Sequence, residues 1–411
     1  MFVCNEHYAD APDIPAARPS KTRAGSLAQS KLDTVSFTTE SLQEALSKIK
    51  HTHSCGPDGI APTWFQRLCP LMLPTTFQIL QGLFDSGTVP GTWQRALVTP
   101  LHKGKWKPMN ELKHYRPVSI TSIVCRTFER IVNGQLLNHL EKSGYLSDSQ
   151  HGFRRGRSCE SALATITHFI SDHMDNRTMT DLIQLDLSNA FDTLDINLLL
   201  EKLTHAGIHG SLFTWISSFL RNRSQQVVYC GARSIERVIS SGVPQGSVLA
   251  PTPFLVYVND MPHNDKCILV QYADDTLIAA TISSQFDARH LQNFLDEIER
   301  WISRQRLSLS TSMSSVIRFA NCKKQTSPVY IVEGTPLPAS DHLSILGVTC
   351  SQNLDFSAHI AGVIAKSRRT LGFITRVARP GGPAVLEALY TSLVLPSLEY
   401  CSAVWSPINN I

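Results

Sequence analysis

Two short apolar segments that carry aspartates restrict this chain more than any other feature of its sequence. Residues 182–187 (LIQLDL) predict a β-strand in which Asp186 is opposite in phase to its apolar neighbours. Residues 268–279 predict a hairpin whose turn contains Asp274 and Asp275. Carboxylates on neighbouring strands can converge on hard divalent cations, which prefer oxygen ligands. Taken singly, an aspartate at a strand end or turn is more often a cap or part of an Asx-turn than a metal ligand. Other motifs must therefore decide between a structural and a metal-binding role.

Long helices alternate with these strands. Apolar side chains recur at helical spacing over residues 287–303, and Ser41 with Glu44 forms a capping box for a helix that begins near Ser41. Further helices are predicted over 73–84, 127–142, 160–174 and 195–206, and a further strand over 96–101. Strands interleaved with long helices predict an α+β fold with helices packed on one face of a sheet.

Composition excludes several classes of protein. An apolar fraction of 42% and a charged fraction of 18% are typical of a soluble globular chain and not of a disordered one. No apolar run approaches the ~18 residues of a membrane helix, and the first residues lack the apolar segment of a signal peptide. The ten cysteines include no Cys-x-x-Cys, which argues against a zinc ribbon and a disulfide framework. We therefore expect an intracellular protein in a reducing compartment.

The charges are unevenly placed although the net charge is only +4. Residues 95–157 contain twelve Lys or Arg against four acids, whereas residues 172–201 contain seven acids against one Arg. Residues 355–379 are basic again, with five Lys or Arg against one Asp. Two basic flanks around an acidic centre suggest a polyanion held around a metal-binding core. The alternative on charge alone is that these residues lie on solvated faces.

Several motifs in a fixed order are similar to those of one family. They lie at 56–59 (GPDG), 99–103 (TPLHK), 115–119 (YRPVS), 150–154 (QHGFR), 185–192 (LDLSNAFD), 242–247 (GVPQGS), 259–260 (ND), 272–275 (YADD), 346–348 (LGV), 400–401 (YC) and 404–407 (VWSP). Over about residues 36–411 the sequence resembles the reverse transcriptases of non-LTR (LINE-type) retrotransposons. The resemblance implies a right-hand polymerase fold of the α+β class, with fingers and palm built on an antiparallel sheet and a helical thumb.

The resemblance also implies roles for single residues. The catalytic residues would be Asp186, Asp274 and Asp275, and the same three with the Leu187 carbonyl would be the ligands of two Mg²⁺ ions, with Mn²⁺ as a substitute. The residues that would contact the dNTP are Lys103, Arg116, Phe191, Gln245 and Gly246. Lys103 and Arg116 would clamp the triphosphate, and the ring of Phe191 would exclude a ribose 2′-hydroxyl.

The partners implied by the resemblance are an RNA template and a DNA primer, with no membrane partner. The residues suited to nucleic-acid phosphates are Arg154, Arg155, Arg157, Lys366, Arg368 and Arg369. We expect a flexible leader (1–35), an N-terminal helical extension (36–92), fingers and palm (93–347) and a partial, truncated thumb (348–411). The family resemblance implies residence in the nucleus and cytoplasm, and the sequence carries no targeting signal.

The chain departs from the family pattern after the predicted 287–303 helix. Ser310 stands where the family has Asn, and Met313 stands where it has a Lys that assists pyrophosphate departure. Methionine has neither a proton to donate nor a charge. We therefore predict an RNA-directed DNA polymerase that extends a primer with dNTPs, and we keep as alternative a catalytically impaired, nucleic-acid-binding remnant. A third reading, an RNA-dependent RNA polymerase, is disfavoured by Phe191.

Overall fold

The structure is a computed structural model that describes residues 30–50, 52, 54–104, 108–320 and 328–406. The helices are α1 (Thr39–Ser47), α2 (Pro62–Leu68), α3 (Leu73–Asp85), α4 (Gly91–Gln94), α5 (Ile123–Lys142), α6 (Cys159–Asp175), α7 (Ala190–Thr193), α8 (Ile196–His205), α9 (Gly210–Leu220), α10 (Pro251–Val258), α11 (Gln285–Arg304), α12 (Ser357–Ala378), α13 (Gly382–Leu389), α14 (Leu395–Glu399) and α15 (Ser402–Trp405). Across the described ranges, no helix is long and apolar enough to cross a membrane.

The strands are β1 (Arg95–His102), β2 (Tyr115–Ile120), β3 (Met179–Asp186), β4 (Arg223–Tyr229), β5 (Ala232–Arg233), β6 (Arg237–Ile239), β7 (Cys267–Tyr272), β8 (Asp275–Ile282), β9 (Ser315–Phe319), β10 (Ile331–Val332), β11 (Thr335–Pro336), β12 (His342–Ile345) and β13 (Val348–Ser351). Together with the helices they form two compact units. Unit 1 contains residues up to Ser147, Asn189–Met261 and Ile302–Leu307, and unit 2 contains Asp148–Ser188, Pro262–Trp301 and the residues from Ser308 onward.

Unit 1 contains a five-stranded sheet in the order β2-β1-β4-β5, with β6 also paired to β4. The pair β1/β4 is parallel and the other pairs are antiparallel, so this sheet departs from the antiparallel expectation. An aromatic cluster forms part of its core and joins α3, α5 and α9. Its members, with neighbouring ring centroids 4.7–5.7 Å apart, are Phe37, Phe84, Trp93, Phe128 and Trp215.

Of the predicted leader, only residues 30–35 are described. There, the Leu32 N–H donates to the Gly207 carbonyl (2.9 Å), and Val35 is buried. The first helix is capped by Thr38, whose side chain accepts from the Ser41 N–H, and not by Ser41 as predicted. The reason is that Thr38 has the extended backbone of an N-cap, which puts Ser41 inside the first turn.

Unit 2 is built on an antiparallel sheet in the order β7-β8-β3-β9, as expected. Apolar side chains of α6 pack with those of β3, β8 and β9 to form its core. One charged cluster is buried in this unit. Arg318 on β9 donates two hydrogen bonds of 2.6 Å to Asp181 on β3, and the Tyr330 hydroxyl donates a third of 2.6 Å. Strands β12 and β13 form a hairpin at the 346–348 motif.

Candidate functional site

The three predicted catalytic aspartates lie at one end of the unit 2 sheet. Asp186 is the last residue of β3 and pairs with Asp275, the first residue of β8. Directly opposed residues of an antiparallel pair project from the same face, so these two carboxylates are neighbours. Ala273 and Asp274 form the two-residue turn between β7 and β8, which confirms the predicted hairpin but leaves Asp275 on the strand and not in the turn. All three side chains are half-buried.

The hydrogen bonds of its neighbours determine the direction in which the Leu187 carbonyl points. The Ser310 N–H donates to the Asp186 carbonyl (2.8 Å), and the Ser188 N–H donates to the Ser308 carbonyl (2.8 Å). Leu187 and Leu309 therefore form a non-hydrogen-bonded pair, in which the carbonyl of Leu187 points away from the 308–310 segment. Because β3 lies between β8 and β9, the Leu187 carbonyl points towards the β8 side, where the aspartates of the turn lie.

The 150–154 motif holds the turn that carries Asp274. The Gln150 side chain is 2% exposed, and its Oε1 accepts from the N–H groups of Gly152 (2.8 Å) and Ala273 (3.0 Å). A Cβ at Gly152 would lie 2.4 Å from the Ala273 nitrogen, so only glycine permits this approach. Ala273 has a positive φ of 57°, unusual for a residue other than Gly. The sequence did not predict that Gln150 and Gly152 support the hairpin. It showed only that both belong to the 150–154 motif.

The donor set at this end of the sheet fits a divalent cation. It offers carboxylate oxygens and one backbone carbonyl, the oxygen ligands that Mg²⁺ prefers. Among the described residues, no three His, Cys, Asp or Glu side chains form a ready metal site. Magnesium sites that act on phosphates commonly use one or two carboxylates and take their remaining ligands from substrate and water.

The turn that carries Met313 is attached to the strand of Asp186. The Asp186 N–H donates to the Ser314 hydroxyl (3.3 Å), which itself donates to the Ser310 carbonyl (2.9 Å). Ser314 is buried, whereas Met313 is 56% exposed on the same turn. A longer, charged side chain at position 313 would therefore meet solvent and not the core.

The residues predicted to contact a dNTP belong to unit 1. Leu101 on β1 pairs with Arg116 on β2, and Lys103 follows two residues later with its N–H bonded to the His114 carbonyl (2.7 Å). Because side chains alternate along an extended chain, Lys103 and Arg116 fall on one side of this hairpin. Both side chains are exposed to solvent.

The Pro-Gln-Gly loop, residues 242–250, lies against β2. The Ser119 N–H donates to the Gln245 carbonyl (2.7 Å). Gly246 has φ 119°, and a Cβ there would lie 2.6 Å from the Ser119 carbonyl oxygen, so both the conformation and the space require glycine. The Oε1 atom of Gln245 is buried without a hydrogen-bond partner in the described structure. Gln245 as a whole is half-buried.

Contacts of both the ring and the backbone hold Phe191 in place. Its ring stacks on the buried Phe254 with centroids 4.3 Å apart and planes 15° apart. Its carbonyl accepts from the Val243 N–H (2.7 Å), which joins it to the Pro-Gln-Gly loop. Burial raises the pKa of the adjacent Asp192 to about 6.

The basic residues predicted for nucleic acid have different surroundings. Arg155 is exposed, whereas Arg157 donates to the Asp148 carboxylate and carbonyl (both 2.6 Å), and Arg154 donates to the Gln150 carbonyl (3.4 Å). On α12, the three predicted cations are all exposed, namely Lys366, Arg368 and Arg369. Arg368 also lines a 970 Å³ groove between α12 and α13, together with Arg376, Arg379 and Leu371.

Residues 102–350 match the family model described as reverse transcriptase (RNA-dependent DNA polymerase). Similar proteins include the probable RNA-directed DNA polymerase from transposon X-element of Drosophila melanogaster, 27% identical over 77% of this chain and 36% of that protein. The RNA-directed DNA polymerase from mobile element jockey of the same species is 26% identical over 90% of this chain and 42% of its own length. The chain thus spans less than half of either relative. A solved structure of apo telomerase from Candida tropicalis, truncated from the C-terminal domain, has a TM-score of 0.44 at 11% identity, covering 68% of this chain and 60% of that one.

Proposed function

The chain belongs to the reverse transcriptase family, and we propose that it is the RNA-directed DNA polymerase of a non-LTR retrotransposon, extending a primer with dNTPs on an RNA template. The observation that carries the proposal is the pairing of Asp186 with Asp275 beside the turn that contains Asp274. Members of the family generally use divalent metal ions, and carboxylates gathered at a sheet end are suited to hold them.

We assign Asp186, Asp274, Asp275 and the Leu187 carbonyl as ligands of two Mg²⁺ ions, with Mn²⁺ as a substitute. Such a pair supplies activation of the primer 3′-hydroxyl and stabilisation of the leaving pyrophosphate. The chain's own part is to hold the carboxylates at fixed spacing. It does so through the β3–β8 register, through Gln150 at the turn and through the Ser310–Ser314 turn on β3.

We assign the unit 1 residues to the dNTP. Lys103 and Arg116 bind the triphosphate through charge-assisted hydrogen bonds. The half-buried Gln245 side chain, whose Oε1 has no partner among the described residues, and the close backbone approach at Gly246 suit contacts with the incoming nucleotide. The Phe191 ring, held by Phe254, excludes a 2′-hydroxyl and so selects deoxyribonucleotides.

We further propose the right-hand arrangement of fingers and palm (93–347) and thumb (348–411), with an N-terminal extension at 36–92 and a leader at 1–35. Cations of the 150–157 segment bind template phosphates, and those of α12 bind the primer–template duplex. Since Arg157 is already paired with Asp148, Arg155 contributes more of this contact. Residence in the nucleus and cytoplasm completes the proposal.

Primer extension tests the function directly. The purified chain, given oligo(dT) annealed to poly(rA), dTTP and Mg²⁺, should lengthen the primer, and Asp274→Asn should abolish extension while RNA binding is unchanged. Wild-type binding without extension would instead favour the impaired, nucleic-acid-binding remnant. The observation in favour of that second candidate is Met313 on the turn bonded to Asp186.

A further inference from the structure

A buried carboxylate that no motif predicted is bonded to the Pro-Gln-Gly loop. Glu129 lies within α5 and is 0% exposed. Its Oε2 accepts from the backbone N–H groups of Val248 (2.7 Å) and Leu249 (3.0 Å). Burying a carboxylate away from water costs free energy unless hydrogen bonds compensate it. These two hydrogen bonds offset a large part of that cost.

The second oxygen of Glu129 is also bonded. The Cys125 thiol, one turn earlier on α5, donates to Oε1 at 3.3 Å. Burial raises the pKa of this thiol well above its usual range, so it stays protonated and remains a donor. Arg223 is buried nearby but donates to the carbonyls of Phe219 and Trp93. The loop N–H groups are therefore the strongest direct partners of Glu129 in the described structure.

The position of these bonds along the loop gives them their importance. Val248 and Leu249 follow Gln245 and Gly246 by only a few residues, just ahead of α10. The start of the loop is held by backbone bonds from Val243 to Phe191 and from Gly242 to Leu194 (2.7 and 2.8 Å). At its end, Glu129 accepts both N–H groups from 119 and 120 positions away in the chain.

We infer that Glu129 is a positioning residue for dNTP binding, which fixes the Pro-Gln-Gly loop so that the Gln245 amide stays where a nucleotide meets it. The inference rests on the proposed function of this loop. Since the Gln245 side-chain oxygen has no partner of its own, its place depends on the backbone around it. Loss of the Glu129 acceptor leaves one buried and one part-buried N–H group unpaired, and the loop moves to restore their bonds.

Two substitutions separate the hydrogen bonds from the mere filling of space. Glu129→Met keeps the length of the side chain and loses its acceptor oxygens. We expect the KM for dTTP to rise about tenfold, which corresponds to the loss of one hydrogen bond, the contact of Gln245 with the nucleotide. Glu129→Gln keeps one oxygen that can accept both N–H groups, so its KM should stay within about threefold of the wild type. Leu136→Ala, two turns along α5 and equally buried, is the control: it should lower the Tm and leave the KM unchanged.

A double-mutant cycle tests whether Glu129 acts through Gln245. Gln245→Ala should raise the KM for dTTP, and adding Glu129→Met should raise it little further, because both changes remove the same contact. Fully additive effects would overturn the coupling. An unchanged KM in Glu129→Met, in a chain that extends primers, would overturn the inference while the proposed function stands.

Amide hydrogen exchange gives a result that needs no turnover. The amides of Val248 and Leu249 should exchange faster in Glu129→Met, with protection retained in Glu129→Gln and in Leu136→Ala. Unchanged protection in Glu129→Met would refute the inference even if the chain proved inactive. A chain that fails to extend primers but shows this exchange pattern would contradict the proposed function and leave the fixing of the loop established.

Discussion

The aspartate hairpin of unit 2 and the Pro-Gln-Gly loop of unit 1 are held in place by different kinds of contact. In the hairpin, strand register alone brings Asp186 next to Asp275, and Gln150 adds hydrogen bonds at the turn. The loop contains no strand, and besides its backbone bond to Phe191 its position depends on Ser119 and Glu129, which are distant in sequence. We therefore expect changes near the hairpin to affect the chemical step and changes near the loop to affect nucleotide binding and selection.

Among changes that leave the aspartates themselves in place, Gly152→Ala has the largest expected effect. The added Cβ would lie 2.4 Å from the Ala273 nitrogen, so the turn that carries Asp274 must shift. A displacement of this kind lowers kcat by about 10²-fold, with little change in the KM for dTTP. Gly362→Ala is the control, because its Cβ meets nothing within 4 Å in α12. Steady-state extension kinetics measure both constants. If Gly152→Ala raised the KM for dTTP and left kcat unchanged, the hairpin and the loop would not differ in the way proposed.

Met313→Lys should act in the opposite direction on the same region. A lysine on the turn bonded to Asp186 can donate a proton to the leaving pyrophosphate, and we expect a rise of at least about tenfold in the single-turnover rate. The affinity for dNTP should stay constant, since the contact forms mainly in the transition state. Met313→Leu serves as control. An unchanged rate in a lysine variant that binds primer–template would show that position 313 takes no part in the chemistry.

Phe191→Ala probes the selection that we assign to unit 1. Without the ring, rNTP incorporation relative to dNTP should increase by about tenfold, the range of a lost steric contact. Phe254→Leu removes the stacking partner but keeps the ring, and its effect should be smaller. Competition between dTTP and UTP on one template measures the ratio, and a flat ratio would mean that Phe191 is only a packing residue.

The last expected effect concerns the pH dependence of stability and not catalysis. The pKa of Asp192 is raised from 3.8 to about 6, so between these values the folded chain keeps a proton that the unfolded chain has released. Unfolding free energy therefore falls as the pH rises from about 4 to 6, and Asp192→Asn should remove this slope and stabilise the chain at pH 7 by about 1–3 kcal/mol.

Asp287 in unit 2 provides the contrast to Asp192. Hydrogen bonds from Ser284 lower its pKa, so its contribution to stability is lost as the pH falls. Denaturant titrations at several pH values give, for each variant, the difference in unfolding free energy from the wild type. Plotted against pH, this difference should have slopes of opposite sign for Asp192→Asn and Asp287→Asn. Slopes of the same sign would contradict the assignment of Asp192 as a carboxyl raised by burial.

The sequence could predict what depends on near neighbours along the chain. Asp186 on its strand and the two-residue turn at Asp274 follow from alternation and turn signals, and the 287–303 prediction matches α11 because its apolar spacing is complete. The parallel pairing of β1 with β4 was not predicted, since more than a hundred residues separate these strands and no local pattern records their register.

The supports of the candidate site were hidden for a similar reason. Glu129 looks like any charged residue of a helix, and nothing local shows that it is buried and bonded to Val248. The cap at Thr38 was missed because Ser41 is an equally good capping residue, and only the extended backbone at Thr38 decides between them. Sequence patterns thus identify the residues suited to the chemistry more readily than the residues that position them.

The buried cluster of Asp181, Arg318 and Tyr330 has a consequence for folding fidelity. Asp181 and Asp186 are five residues apart on β3, so they project from opposite faces of the sheet. A slip of β3 by one position would turn Asp186 to the wrong face and would also part Asp181 from Arg318, its partner in the β3–β9 register. Leaving that charge alone in the core costs about 3–5 kcal/mol. The buried ion pair thus destabilises folded states in which β3 is out of register and Asp186 is on the wrong face.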